Sequence, residues 1–142
     1  MKTSARNTFE GVVAQLKSGA VNDEVAIDIG QGTLITAVIT KDSTENLGLA
    51  VGVKAFALIK ASSVILATDL AGVKLSTRNQ IVGTVSKLTL GAVNAEVELE
   101  VAAGQHVVAI VTNESAQNLG LALGSQATAI VKASQVIVGV KA

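Results

Sequence analysis

Apolar and polar residues alternate with a period of two through much of this chain. In VNAEVELEV (93–101), Val93, Val97, Leu99 and Val101 alternate with Asn94, Glu96, Glu98 and Glu100, the pattern of a strand with one wet face. VNDEVAIDI (21–29) repeats it. Gly30 to Gly32 and Ala103-Gly104 then mark hairpins into LITAVIT (34–40) and VVAIVT (107–112), both rich in β-branched residues. A short polar stretch follows each, KDSTENLGL (41–49) or NESAQNLGL (113–121). Each begins with cap-type residues (Asp42 and Ser43; Ser115) and ends at Gly48 or Gly120, which suits one or two helical turns. A last strand-like run, LIKASSVIL (58–66) or IVKASQVIV (130–138), carries a lysine in its middle.

Nearly every feature occurs twice because the chain is a duplication. A shift of 72 residues aligns 4–66 with 76–138 without a gap, and roughly 29 of 63 positions are identical. The predicted organisation is a first domain at 1–66, a linker at 67–75 and a second domain at 76–142. The linker ATDLAGVKL is short and apolar, so the halves are expected to pack together. Five strands and one short helix per repeat predict an all-β chain of two OB-like five-stranded barrels. A generic β-sandwich fits the same pattern.

Composition narrows the function. Hydrophobic residues make up 49% of the 142, almost all of them aliphatic, since there are two Phe and no Trp or Tyr. With no cysteine there is no disulfide and no thiolate metal site. The N-terminal MKTSARNTFEGVV lacks the apolar segment of a signal peptide. The longest uncharged stretch, 115–131, is broken by Gln117, Asn118, Ser125 and Gln126, a poor membrane span. These features predict a cytoplasmic protein that does not engage membranes. Net charge is zero, with no basic cluster and no aromatic pair for stacking bases, which argues against nucleic acid.

Enzyme chemistry is hard to assemble, and no catalytic residue is assigned. The single histidine, His106, aligns with Leu34, so a packed or surface role is expected rather than catalysis. Glu96, Glu98 and Glu100 read as a solvated strand face. No phosphate-binding glycine loop is present, and no metal site is expected.

What recurs is a set of hydrogen-bond donors. Ser4, Arg6 and Asn7 correspond to Ser76, Arg78 and Asn79. Thr40 and Ser43 correspond to Thr112 and Ser115, and Lys60 and Ser62 to Lys132 and Ser134. Ser43 and Ser115 fall where a helix would begin and N–H groups are free. None of the matched positions is Asp or Glu. An oxyanion without a proton at neutral pH can only accept hydrogen bonds, so a donor-only set favours a dianion such as molybdate, tungstate or sulfate over hydrogen phosphate. The alternative is that each Ser caps a turn, each Arg pairs with a surface acid and each Lys snorkels. The GAVN blocks, Gly19-Ala20-Val21-Asn22 and Gly91-Ala92-Val93-Asn94, are either anion-holding backbone nests or plain hairpin turns.

Taken together, SARN/STRN, GAVN[DA]EV, NLGL and [IV]KAS resemble the Mop domain of the molybdate-binding molbindins over about nine-tenths of the chain, and the tandem resembles a di-Mop molbindin. The resemblance implies an OB-like barrel per repeat and three-fold oligomers, here a homotrimer. Its ligand is molybdate or tungstate at subunit interfaces, held for intracellular storage and homeostasis of molybdenum. The implied ligands are Ser4, Arg6, Thr40, Ser43, Lys60 and Ser62, with Ser76, Arg78, Thr112, Ser115, Lys132 and Ser134. Further sites on the three-fold axis are implied at the GAVN turns. On this reading each lysine is tolerated in its apolar run because it meets an anion. Thr77 for Ala5 and Gln135 for Ser63 depart between the repeats and are expected to make the two kinds of site unequal. The alternative role is a molybdate-sensing regulatory module, which is expected to need a separate partner.

Overall fold

The computed structural model describes residues 1–141, the side chain of Ala103 apart; Ala142, the last position of the expected second domain, lies outside them. The first repeat forms β1 (Asn7–Ser18), β2 (Asn22–Asp28), β3 (Leu34–Thr40), α1 (Lys41–Leu47), β4 (Lys54–Ile59) and β5 (Ile65–Ala67). The second forms β6 (Asn79–Leu90), β7 (Asn94–Glu100), β8 (His106–Thr112), α2 (Asn113–Asn118), β9 (Gln126–Val131) and β10 (Ile137–Gly139). The all-β expectation holds, with β2, β3, β7 and β8 within a residue or two of the segments read from alternation.

The long first strand of each repeat organises its sheet. Residues Asn7 to Val12 pair antiparallel with β4, and Val12 to Ser18 pair with β2. An irregularity between Val13 and Gln15 bends the strand so that one segment serves both neighbours. β6 does the same, shifting between Val85 and Lys87. The strand orders are β10-β4-β1-β2-β3 and β5-β9-β6-β7-β8. β10 packs against β3, and β5 against β8, but no backbone ladder joins those edges among the described residues. Each sheet curls into a partly open OB-like barrel.

The orders also show that the last strands are exchanged. Ile65–Ala67 of the first repeat pairs with β9 of the second, and Ile137–Gly139 of the second pairs with β4 of the first. Each sheet is thus four strands of one repeat plus one of the other. The expected packing of the halves follows: one apolar cluster runs through Phe9, Ile27 and Ile35 on one side and Val97, Leu99 and Val107 on the other.

Two buried carboxamides tie the halves further. Asn7 and Asn79 are 2% and 1% exposed. Asn7 Nδ2 donates to Val108 O at 2.8 Å, and Val108 N–H donates back to Asn7 Oδ1 at 2.7 Å. Asn79 makes the same pair with Thr36, each bond 2.7 Å. Each repeat thereby clamps the middle of the other's third strand, using donor and acceptor together as a buried amide requires. Asn7 and Asn79 recur because of this architecture, and the donor reading does not apply to them.

Candidate functional site

The sequence pattern places Lys60 and Lys132 within apolar strands, but the structure places them just past the strand ends. β4 ends at Ile59 and β9 at Val131, and a three-residue 3-10 turn, Ala61–Ser63 or Ala133–Gln135, follows each lysine. Both lysines are exposed, so neither is a buried charge in need of a partner. The turn breaks the apolar run in two and sends its second half to the other sheet. In doing so it carries Ser62 into the second repeat and Ser134 into the first.

That crossing builds two equivalent grooves. The first, about 660 Å³, is lined by Asn22, Thr40, Ser43 and Asn46 of the first repeat and by Ser134 of the second, over an apolar floor that includes Val38, Leu47 and Val136. The second, about 590 Å³, is lined by Asn94, Thr112, Ser115 and Asn118, with Ser62 from the first repeat. Of the donors singled out in the sequence, the fold thus brings together Thr40, Ser43 and Ser134, and separately Thr112, Ser115 and Ser62. Among the described residues neither groove is lined by a charged side chain, carboxylate or cation.

The helices position the hydroxyls. α1 begins two residues or more earlier than expected: Thr40, not Asp42 or Ser43, is its N-cap, and Thr40 Oγ1 accepts the Ser43 N–H at 3.1 Å. Thr112 caps α2 through Ser115 N–H at 3.0 Å. The N–H groups of Ser43 and Ser115 are therefore already satisfied by protein, and what these residues offer a ligand is hydroxyl. Within each pair the two hydroxyl oxygens are 2.8 Å apart, so they share one hydrogen and can direct the other outward.

The remaining candidates lie elsewhere in the chain. Arg6 pairs with Glu96, and Arg78 with Glu24, each across the two repeats. An arginine has five N–H donors and keeps some free in such a pair. Ser4 and Ser76 are exposed ahead of β1 and β6. Ser63 Oγ donates to Gln135 Oε1 at 3.0 Å, so the one position where the KAS turns differ joins them. Glu96 and Glu98 are half-buried and face Arg6 and His106 (Glu98 Oε1 to His106 Nδ1, 3.6 Å), so this face is less solvated than expected. His106 is a surface residue, within the expected packed-or-surface role.

The GAVN turns stand at hairpin tips, with Val21 and Val93 exposed at 72% and 70%; Val93 belongs to the tip rather than to the alternating strand. Gly91 is required by space: a Cβ there would lie 2.8 Å from Asn94 O. Asn22 and Asn94 turn back to line the grooves. At the first turn, buried Asp23 accepts the Gly19 N–H at 3.2 Å and lies 3.6 Å from Lys41 Nζ. The Thr44 hydroxyl, then Gly19 N–H and Lys41, hold the Asp23 carboxyl below the usual carboxylate range against the opposing effect of burial.

Sequence reasoning missed Asn46 and Asn118, which lie in the retained NLGL block, and the exchange that completes each groove. Among the described residues no cluster of three metal-ligating side chains occurs, and no helix is long and apolar enough to cross a membrane.

Comparison with known proteins fits this two-fold construction. A model of the TOBE domain family matches residues 3–66 and again 75–138. A crystal structure of the cytoplasmic molybdate-binding protein ModG with molybdate bound superposes with a TM-score of 0.96 at 48% identity, over 99% of this chain and 100% of that one. The molybdenum transport protein ModE of Azotobacter vinelandii is 49% identical over 140 residues, 99% of this chain and 52% of that protein. The molybdenum-pterin-binding protein MopA of Rhodobacter capsulatus is 45% identical over 137 residues, 96% and 52% respectively. The chain spans about half the length of these two curated relatives.

Proposed function

The chain belongs to the TOBE domain family, and on that premise we propose that it binds molybdate or tungstate without catalysing a reaction, as a cytoplasmic store that buffers molybdenum. One observation carries the reading: hydroxyls from opposite repeats converge in two equivalent grooves that hold no carboxylate. Hydroxyls and carboxamides can donate to all four oxygens of a dianion, and no acceptor there rewards a protonated anion. The molybdate bound to the similar ModG supports the same ligand.

A single chain leaves each such site short of positive charge. Moving a dianion out of water needs charged or multiple strong donors, and the grooves supply neutral ones. Lys60 and Lys132 stand two residues from the groove serines, while Ser4, Arg6, Ser76 and Arg78 are presented on outer surfaces. We place these as ligands offered by or to neighbouring copies in a homotrimer, each module consisting of one repeat, 1–66 or 76–142, with the exchanged strand. The exposed Gly19–Asn22 and Gly91–Asn94 turns are the candidates for axial anions. Interface sites make loading and assembly reinforce one another by mass action.

A second reading, a molybdate-sensing module acting through a partner, is favoured by the resemblance to the transcriptional regulator ModE of Yersinia pestis, 35% identical over 141 residues and twice as long. The test is to load the protein with molybdate, remove free anion by size exclusion and quantify molybdenum per chain, with sulfate and phosphate as competitors. The storage reading expects more than one molybdate per chain on a species of about three chains, resistant to both competitors. No retained molybdenum, or ready displacement by sulfate, overturns it. A partner captured only at one molybdate level would favour sensing.

A further inference from the structure

We propose that Asn46 and Asn118 are oxyanion ligands, each donating its side-chain Nδ2–H to an oxygen of the dianion in its groove; this rests on the anion reading above. The helices themselves carry the argument. Between KDSTEN and NESAQN four of six positions have changed: Lys41 to Asn113, Asp42 to Glu114, Thr44 to Ala116 and Glu45 to Gln117. The two that have not are Ser43/Ser115 and Asn46/Asn118. Residues three apart share one face of a helix, and here that face lines the groove in both repeats.

Retention of asparagine needs a reason at this position. Asn is a poorer helix former than Ala, Gln or Glu, and both carboxamides are exposed, so neither packing nor propensity calls for it. Neither side chain has a hydrogen-bond partner among the described residues. By contrast the retained pair Asn7 and Asn79 is fully occupied in the inter-repeat clamps, and the third retained pair, Asn22 and Asn94, lines the same two grooves from the GAVN turns. An uncommitted carboxamide one turn beyond Ser43, lining the same groove as Ser134, supplies the donor that two hydroxyls sharing a hydrogen cannot.

The experiment compares wild type with Asn46→Ala/Asn118→Ala by titration with sodium molybdate, alongside thermal unfolding without molybdate and with it at about 100-fold over the Kd that the wild-type titration gives, which produces a clear shift. Losing one hydrogen bond to a charged acceptor weakens each groove by about tenfold or more. The anion-free melting temperature is expected to be unchanged or raised, since Ala favours the helix, so a structural role would move the two readouts together and a ligand role moves them apart. Asn46→Asp/Asn118→Asp is expected to lose molybdate further, by charge repulsion. Wild-type binding with equal binding by the Ala variant overturns this inference alone. Absence of molybdate binding by wild type overturns the anion reading and this inference with it.

Discussion

The two repeats share their clamp and their groove but differ where the GAVN turn meets the helix. In the first, a buried carboxylate organises the corner: Asp23 accepts from the Gly19 N–H, Lys41 stands beside it while also donating to Gly19 O at 3.2 Å, and the Thr44 hydroxyl, which donates to Thr40 O, helps hold the carboxyl ionised. In the second, all three side chains are replaced together, by Ala95, Asn113 and Ala116. There Gly91 N–H donates to Asn94 O, and Asn113 Nδ2 to Gly91 O, each at 2.8 Å. The turn keeps its shape while its supporting chemistry changes from ionic to neutral. A buried acid is tolerable only with its donors and a cation, so the three positions change as a set. The polar residues of the grooves, close by in sequence, did not change, which is what a ligand shared by both sites would require.

The largest effect should come from what the repeats have in common. Asn7→Ala and Asn79→Ala each leave a buried N–H and C=O of the opposite strand unpaired, and each is expected to cost about 2–4 kcal/mol in denaturant unfolding. Similar losses from both would confirm symmetric clamps; a large loss from one only would break the equivalence of the halves.

The corner comes next. Asp23→Ala removes the acceptor of the Gly19 N–H and the partner of Lys41 and should destabilise, while Asp23→Ala/Lys41→Asn/Thr44→Ala, which reproduces the second corner, should recover most of the loss. Ala95→Asp alone buries an acid without donors and should destabilise more than Asp23→Ala. Acid titration sharpens the same contrast. The folded-state value of Asp23 is depressed, so its contribution is present above the unfolded carboxylate value of about 4 and lost as pH falls through the folded value. The stability gap between wild type and Asp23→Ala should therefore hold at neutral pH and close at acid pH, as read from urea midpoints.

Smaller still, Thr40→Ala and Thr112→Ala remove matched caps and should each cost about 1 kcal/mol. A clear inequality would show that the helices, like the corners, have diverged. His106→Leu, which installs the first repeat's residue, should change stability by no more than about 0.5 kcal/mol in either direction.

The duplication, the alternating strands and the short helices were legible because each is a local period repeated twice. The strand exchange was not: Val64 to Leu66 and Val136 to Val138 are near-identical apolar triplets, and either could complete either sheet edge. The lysines misled for a related reason, since a three-residue 3-10 turn is too short to interrupt the apolar pattern visibly. Hydroxyls of the candidate set do converge, but across repeats. Asn7 and Asn46 look alike in sequence as retained asparagines, and only burial separates a structural clamp from an exposed donor.

The most direct test of the two-repeat groove is tungsten anomalous scattering from crystals grown with tungstate. A site built from both repeats predicts peaks in both grooves, beside Ser43 and Ser134 and beside Ser115 and Ser62. Peaks confined to the hairpin tips, or no bound tungsten at all, would contradict it.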